Sequence, residues 1–324
     1  MLFFCRVDVL GDPPPQTNGM PGRSSPTSKA VQFVKNPTVL FTFWEFYGII
    51  IWGSYLLDKH EFDKQELYME YISKIAGSLD RKGSIMGILS QMGANFEIQH
   101  FEDVENIVVS FNPSNQRLVI GAHWDADEGS AGANDNASGC SVLLHTIEAV
   151  LAEPTFSKSI DFVFFGEEEK GGIGASRYIE SVGKENISAM MNADVCGFGD
   201  NIILSDKGNL SNPLFFGLMD EALLTKHKVQ LPGFLPQGDD CIFEWAGLPS
   251  VSICTAESNA VTVFSRIAHK ITTEQSITEK DQEALMSLDV VKTMHGGEFD
   301  NISYLSGEAV KMVADYLTDG LLNV

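Results

Sequence analysis

The chain is poor in basic residues: 22 Lys and Arg stand against 44 Asp and Glu in 324 residues, a formal net charge of -22. Phosphate backbones are bound by clusters of Lys and Arg, and no such cluster occurs here. Nucleic acid is therefore excluded as a partner, and the acidic surplus reads as a solvated surface. Cysteine is also scarce. Cys5, Cys140, Cys196, Cys241 and Cys254 form no Cys-x-x-Cys pair and no disulfide framework, so buried free thiols are expected. Cys241 and Cys254 could pair in an exported protein, but spacing assigns no bridge between them. The opening Met-Leu-Phe-Phe-Cys is too short for the apolar core of a signal peptide.

Hydrophobic residues make up 44% of the chain, enough for one α/β domain of about 250 residues with an appendage. The catalytic domain is expected over 62–324. Residues 1–37 hold Pro13-Pro14-Pro15 and a Gly, Ser, Pro and Thr-rich run to Lys29, a composition that cannot bury enough apolar surface to order itself. Within the hydrophobic segment 38–58, Val39 to Leu57 is long enough to cross a bilayer as a helix. Its one charge, Glu45, costs about 2.5–3.5 kcal/mol if central. Arg23, Lys29 and Lys35 precede it, while Asp58, Glu61 and Asp63 follow, an orientation that would anchor the chain with its catalytic domain outside the cytoplasm. The alternatives are a buried helix or hairpin in a cytoplasmic protein, or an extension outside the working protein. Oligomeric state is not readable from these features.

Farther along, apolar periodicity predicts amphipathic helices from Glu66 to Leu79 and from Ile85 to Met92, the second closed by Gly93. Phe96–Phe101, Asn106–Phe111 and 117–123 read as three adjacent strands leading into a site. The last of these, Arg117-Leu-Val-Ile-Gly-Ala-His123, ends in His123-Trp-Asp125. Open α/β sheets place their ligands at such carboxyl ends. Asp135 follows in the Gly- and Asn-rich turn Gly132-Ala-Asn-Asp135-Asn-Ala-Ser-Gly139. That turn opens a helix with an apolar stripe at Cys140, Leu143, Leu144, Ile147, Val150 and Leu151; His145, beside the stripe, reads as structural. The strand Ile160–Phe165 ends in Gly166-Glu167-Glu168-Glu169, and Ile187–Met191 ends in Asn192-Ala-Asp194. His295 lies in a Gly-rich loop before a final amphipathic helix through Ala309, Val310, Val313 and Leu317.

Each motif alone has a bland reading: His-x-Asp arises by chance, and an acidic run is usually a solvated loop. Their shared position at strand ends favours a site. A neutral imidazole beside a carboxylate suits zinc, Asp125 can hold His123 from behind, and adjacent carboxylates can divide metal binding from proton transfer. His123, Asp135, a Glu from 167–169, Asp194 and His295 are the right number and type of donors for two zinc ions sharing one Asp.

The order His-x-Asp, Gly-Ala-x-Asp-Asn-x-Ser-Gly, Glu-Glu-x-Gly-x-x-Gly, x-x-Asp and a late His resembles the zinc-dependent aminopeptidase family that includes bacterial leucyl aminopeptidases, glutamate carboxypeptidase II and glutaminyl cyclase. The resemblance covers about residues 64–320. It implies an α/β fold, a central, mostly parallel, mixed and twisted β-sheet flanked by helices. It also implies that His123 and Asp194 hold one zinc, that Glu169 and His295 hold the other, and that Asp135 bridges them. Glu168 would then be the general base on a zinc-bound water, Asp125 the residue orienting His123, and Asp135–Asn136 a cis peptide. Gly238-Asp239-Asp240-Cys-Ile-Phe243 looks like the family's Ser-Asp-His-x-x-Phe segment with Gly238 and Asp240 substituted, leaving Asp239 as support. No residue is assigned to polarise the scissile carbonyl, because Phe234-Leu235-Pro236 stands where some relatives have a Tyr. The substrate implied is a peptide with a free amino terminus. Phe234, Phe243, Trp245 and Phe264 are candidates for its side-chain pocket, although most aromatics belong to the core. A glutaminyl-peptide cyclotransferase with a single zinc is the first alternative, and a non-catalytic binding domain the second.

Overall fold

The computed structural model describes residues 66–323. The expectations for 1–37 and for the hydrophobic stretch 39–57 lie outside them. No helix among the described residues is long and apolar enough to cross a membrane.

Two helices come first, α1 over 66–76 and α2 over Arg81–Gln91. The side chain of Asp80 accepts the Gly83 amide and starts α2 four residues earlier than its apolar pattern does. α1 stops at Gly77, so Leu79, expected in its apolar stripe, is fully exposed. The strands are β1 (Glu97–His100), β2 (Glu105–Phe111), β3 (Arg117–His123), β4 (Ile160–Phe165), β5 (Ile187–Ala193), β6 (Asn201–Ser205) and β7 (Ser250–Ala256). They form one seven-stranded sheet in the order β1-β2-β4-β3-β5-β7-β6. β4, β3, β5 and β7 run parallel, whereas β1, β2 and β6 pair antiparallel with their neighbours. The expectation of three adjacent strands is corrected by this order: β4 lies between β2 and β3, reached by a crossover that local sequence does not reveal.

The parallel strands are covered on both faces and read as unbroken apolar runs. Ile160-Asp-Phe-Val-Phe-Phe165 is buried throughout, while the edge strand β1 is half-exposed. Alternation assigns the faces. Leu118, Ile120 and Ala122 of β3 join Phe162 and Phe164 in a core shared with α1, α2, α3 (Gly139–Leu151) and α9 (Gly307–Leu322). Val119, Val163 and Phe165 pack on the opposite face against Tyr178 of α4 (Ile173–Val182) and Phe243 of α6 (Asp239–Trp245). Gly121 must be glycine there, since a Cβ would sit 2.3 Å from the Phe165 ring. A third cluster, including Ala260 and Phe264 of α7 (Ser258–Thr272), covers the β6–β7 end beside α8 (Glu279–Met286). A short α5 (Glu221–Lys226) leads out of β6. All parallel strands point their carboxyl ends the same way, which brings His123, Gly166 and Asp194 to one edge.

Candidate metal centre

His123 closes β3 opposite Phe165, the last residue of β4, and the Trp124 amide donates to the Phe165 carbonyl at 2.8 Å. This pairing sets the turn after β4 beside Asp125. One carboxylate oxygen of Asp125 accepts the Glu168 amide at 3.1 Å and the other accepts the Glu169 amide at 3.2 Å. The first also stands 3.4 Å from His123 Nδ1. The far side of the ring, Nε2, lies 3.1 Å from Asp135 Oδ1 and 3.6 Å from Asp194 Oδ1. Across Asp135, the other oxygen accepts the His295 amide at 2.9 Å and lies 3.8 Å from His295 Nδ1, which is itself 3.3 Å from Glu169 Oε2. Asp135 therefore faces two donor groups, one oxygen to each. The sets His123, Asp135, Asp194 and Asp135, Glu169, His295 each offer ligand atoms within 4.8 Å of one another, as does His123 with Glu168 and Glu169.

The donors suit zinc by type, imidazole and carboxylate, and, His295 apart, by their burial and incomplete bonding. Asp194 Oδ1 and Glu169 Oε1 are buried without a hydrogen-bond partner, which is costly for a carboxylate that no cation neutralises. The electrostatics show the same crowding. Burial, reinforced by Asp194, Asp135 and Glu169, pushes Glu168 up to about 8. Burial disfavours a charged His123 ring, yet its contacts with Asp125, Asp135 and Asp194 hold it well above the usual histidine range. Contact with Glu169 raises His295 to about 9, even though two-thirds of its side chain is exposed. Asp239 is fully buried with both oxygens unpartnered, and burial next to Glu168 raises its carboxyl well above the ordinary value.

The turn around Asp135 is held by its neighbours. Asn134 bonds Thr293 Oγ1 at 2.7 Å and accepts the Gly197 amide at 2.7 Å. Asn136 donates to the Ala193 carbonyl at 3.0 Å and accepts the Val195 and Gly139 amides. Asp300 accepts the Asn134 and Asp135 amides at 2.8 and 3.3 Å. The turn is thereby tied to the loops that carry Asp194 and His295, and the Asp135–Asn136 peptide is cis. Three non-glycine residues at the site hold left-handed backbone: Glu167 at φ 58°, Val195 at φ 55° and His295 at φ 47°. Each such conformation costs about 1–3 kcal/mol and persists where surroundings over-determine it.

Gly238 stands where the resembling segment carries Ser, and a Cβ there would meet Asn192 Nδ2 at 2.8 Å and Asp194 Oδ2 at 3.0 Å. Asp240, in place of the His, pairs with Lys207 at 2.6 Å and accepts the Gly238 amide. Beside Asp194 lies a recess lined by Val195, Leu235, Cys254, Phe264, Val290 and Met294, with Gln237 and Ser252 as its polar margin. Of the four aromatic pocket candidates only Phe264 lines it. Phe234 packs behind Phe264, Phe243 belongs to the core with Phe165 and Tyr178, and Trp245 is 61% exposed. Cys140, Cys196, Cys241 and Cys254 are buried free thiols. His145 is packed between the rings of Tyr68 and Tyr71, away from the centre.

The supports that sequence reasoning missed are Asn134, Asn136, Lys207 and Arg81. The two Asn residues flank Asp135 within a motif already singled out, and their being polar in a turn that opens a buried helix was a signal. Arg81 and Lys207 carried none.

A mixed sheet with acidic and imidazole side chains gathered at the carboxyl ends of its parallel strands defines the zinc-exopeptidase type of α/β fold. The crystal structure of a Zn-dependent exopeptidase from Parabacteroides distasonis superimposes with a TM-score of 0.57 at 15% identity, over 79% of this chain and 97% of that one. Glutaminyl cyclase from Porphyromonas gingivalis does so with a TM-score of 0.56 at 16% identity, over 80% and 98%. The chain belongs to peptidase family M28, whose family model matches residues 106–315. Aminopeptidase YwaD of Bacillus subtilis is 31% identical over 106 residues, a stretch that spans 31% of this chain and 23% of that relative.

Proposed function

We propose that the chain is a di-zinc metallo-aminopeptidase that removes the amino-terminal residue of peptides. The observation that carries this reading is the divided Asp135, one oxygen toward His123 and the other toward His295. His123, Asp135 and Asp194 would hold one ion, and Asp135, Glu169 and His295 the other. Two zinc ions, when bound, lower the pKa of a water and polarise a carbonyl oxygen. Around them the chain's own groups position and protonate. Asp125 fixes His123 with Nε2 turned inward and sets Glu168 and Glu169 through their amides. Glu168, buried and within reach of His123, takes a proton from the attacking water and returns it to the leaving amine. The surplus of carboxylates favours a substrate arriving with a positively charged α-ammonium group. The recess beside Asp194 is mainly apolar but small, about 30 Å³, so it favours a short apolar side chain over a large one. Family membership and the aminopeptidase relative support the same reading.

The test is metal analysis of the purified protein alongside turnover of amino-acid p-nitroanilides, with and without chelator. Two zinc ions and chelator-sensitive turnover are expected. One ion with cyclisation of amino-terminal Gln peptides indicates the cyclotransferase, and no ion the binding domain. Glu168→Gln keeps the shape of the side chain and removes the base, so kcat should fall about 10²–10⁴-fold with zinc retained. Full activity in that variant discards the assignment.

A further inference from the structure

Arg81 is the first residue of α2 and lies far in sequence from every candidate ligand, yet its guanidinium reaches beneath the centre. Nε donates to the Trp124 carbonyl at 2.6 Å, Nη1 to Ala131 at 2.9 Å and Gly132 at 3.2 Å, and Nη2 to Gly132 at 3.1 Å. These hydrogen bonds all end on backbone oxygens, and they join the two ends of one loop. Between those ends lies Asp125, and beyond Gly132 the turn carrying Asp135 begins. Gly132 leaves no room for a side chain: its φ is +57°, and a Cβ there would stand 2.4 Å from Ala126 Cβ and 2.6 Å from Arg81 Nη1. The half-buried guanidinium lies in the attractive field of the carboxylates of Asp125, Asp300 and Asp135. A planar fork of donors can bond separated carbonyls at once, which a single ammonium cannot.

We propose that Arg81 is a positioning residue of the metal centre, its guanidinium clamping the ends of the 124–132 loop so that Asp125 and Asp135 stay in register. Loop closure orients His123 through Asp125 and keeps the Glu168 and Glu169 amides on the same carboxylate. The cation also offsets part of the negative charge gathered at the site. The inference rests on the di-zinc reading for its metal arm and on the loop geometry alone for its exchange arm.

The test compares wild type, Arg81→Ala, Arg81→Lys and a control, Leu89→Ala, which removes a fully buried side chain from the same helix without touching the loop. Zinc retention is titrated with chelator, kcat and KM are measured separately, and amide exchange is followed at Ser130 and Gly132. Those two amides close on Asp127 O and Ser130 Oγ within the loop. In Arg81→Ala, zinc retention and kcat should each drop about 10–100-fold, the range for outer-sphere partners of a metal site, with KM within about twofold. Exchange at Ser130 and Gly132 should quicken, and millimolar guanidinium should restore part of the kcat. Arg81→Lys should fall between, and it carries the test if the Ala variant does not fold. Wild-type zinc retention, kcat and exchange in a folded Arg81 variant overturn the proposal, as does equal zinc loss in Leu89→Ala at matched thermal stability. Wild-type protein that binds no zinc refutes the di-zinc reading instead, and the exchange comparison still decides whether Arg81 holds the loop.

Discussion

Asp125→Asn tests how the centre is held while changing its size by almost nothing. The Asp125 carboxylate accepts two backbone amides and stands beside His123 Nδ1. Oδ1 accepts the Glu168 amide at 3.1 Å and stands 3.4 Å from His123 Nδ1, and Oδ2 accepts the Glu169 amide at 3.2 Å. Asparagine offers one acceptor oxygen and one NH2 donor. With its oxygen toward Glu168 and His123, the NH2 faces the Glu169 amide. Flipped, it faces the other two. Either way a donor confronts a donor, and a half-buried N–H goes unsatisfied at a cost of about 1–3 kcal/mol. The strain falls on the segment that carries the candidate base and a candidate ligand, so metal binding should suffer with stability. Zinc retention against chelator should fall about 10–100-fold, and the unfolding midpoint by roughly 2–10 °C for a domain of this size. Both are read on the same preparation, by metal analysis after graded chelator and by calorimetry. An Asp125→Asn protein that holds zinc as tightly as wild type and unfolds at the same temperature refutes this account of the carboxylate.

Two further predictions concern groups outside the centre. The Tyr178 hydroxyl donates to Asp161 Oδ2 at 2.5 Å, beside Arg117 at 3.0 Å, under the sheet. Tyr178→Phe removes a bond to a buried carboxylate and should lower stability by about 1.5–3 kcal/mol in urea unfolding, leaving zinc content unchanged. A variant as stable as wild type contradicts it. Burial between Tyr68 and Tyr71 lowers His145 from 6.5 to about 4. The unfolded chain therefore binds a proton that the folded one refuses between these values. The stability this group contributes is complete above pH 6.5 and lost as pH falls toward 4, up to about 3 kcal/mol. His145→Phe should flatten that part of the stability profile, and an unchanged profile sinks the assignment.

The candidate ligands were legible because each stands at or just past the end of an apolar strand or in a turn rich in Gly and Asn. A buried run that stops at His123, Glu168 or Asp194 carries its own punctuation. The parallel sheet then does the gathering, since strands running the same way deliver their last residues to one edge. The order of the strands was less legible. Nothing in Ile160–Phe165 says that β4 enters between β2 and β3, because crossover topology depends on how helices cover both faces rather than on the strand's own pattern. The reach of α1 was overestimated at Leu79 for a related reason: periodicity continued by one apolar residue past Gly77, where the helix had already ended.

The supports of the site mark the deeper limit. Asn134 and Asn136 could be read because they flank a candidate ligand, and their bonds to Thr293, Gly197, Ala193 and Val195 explain why amides, able to donate and accept at once, stand there. Arg81 has no such adjacency. Arg81 opens a helix whose composition accounts for it as an ordinary solvated side chain, and only the path of the loop at 124–132 turns it inward. Residues that bind a ligand must lie near a common point and so cluster at predictable ends of the fold. Residues that hold those binders need only reach a backbone carbonyl or amide, which any element can do. Sequence patterns therefore expose the first class, and the second only where its members flank the first.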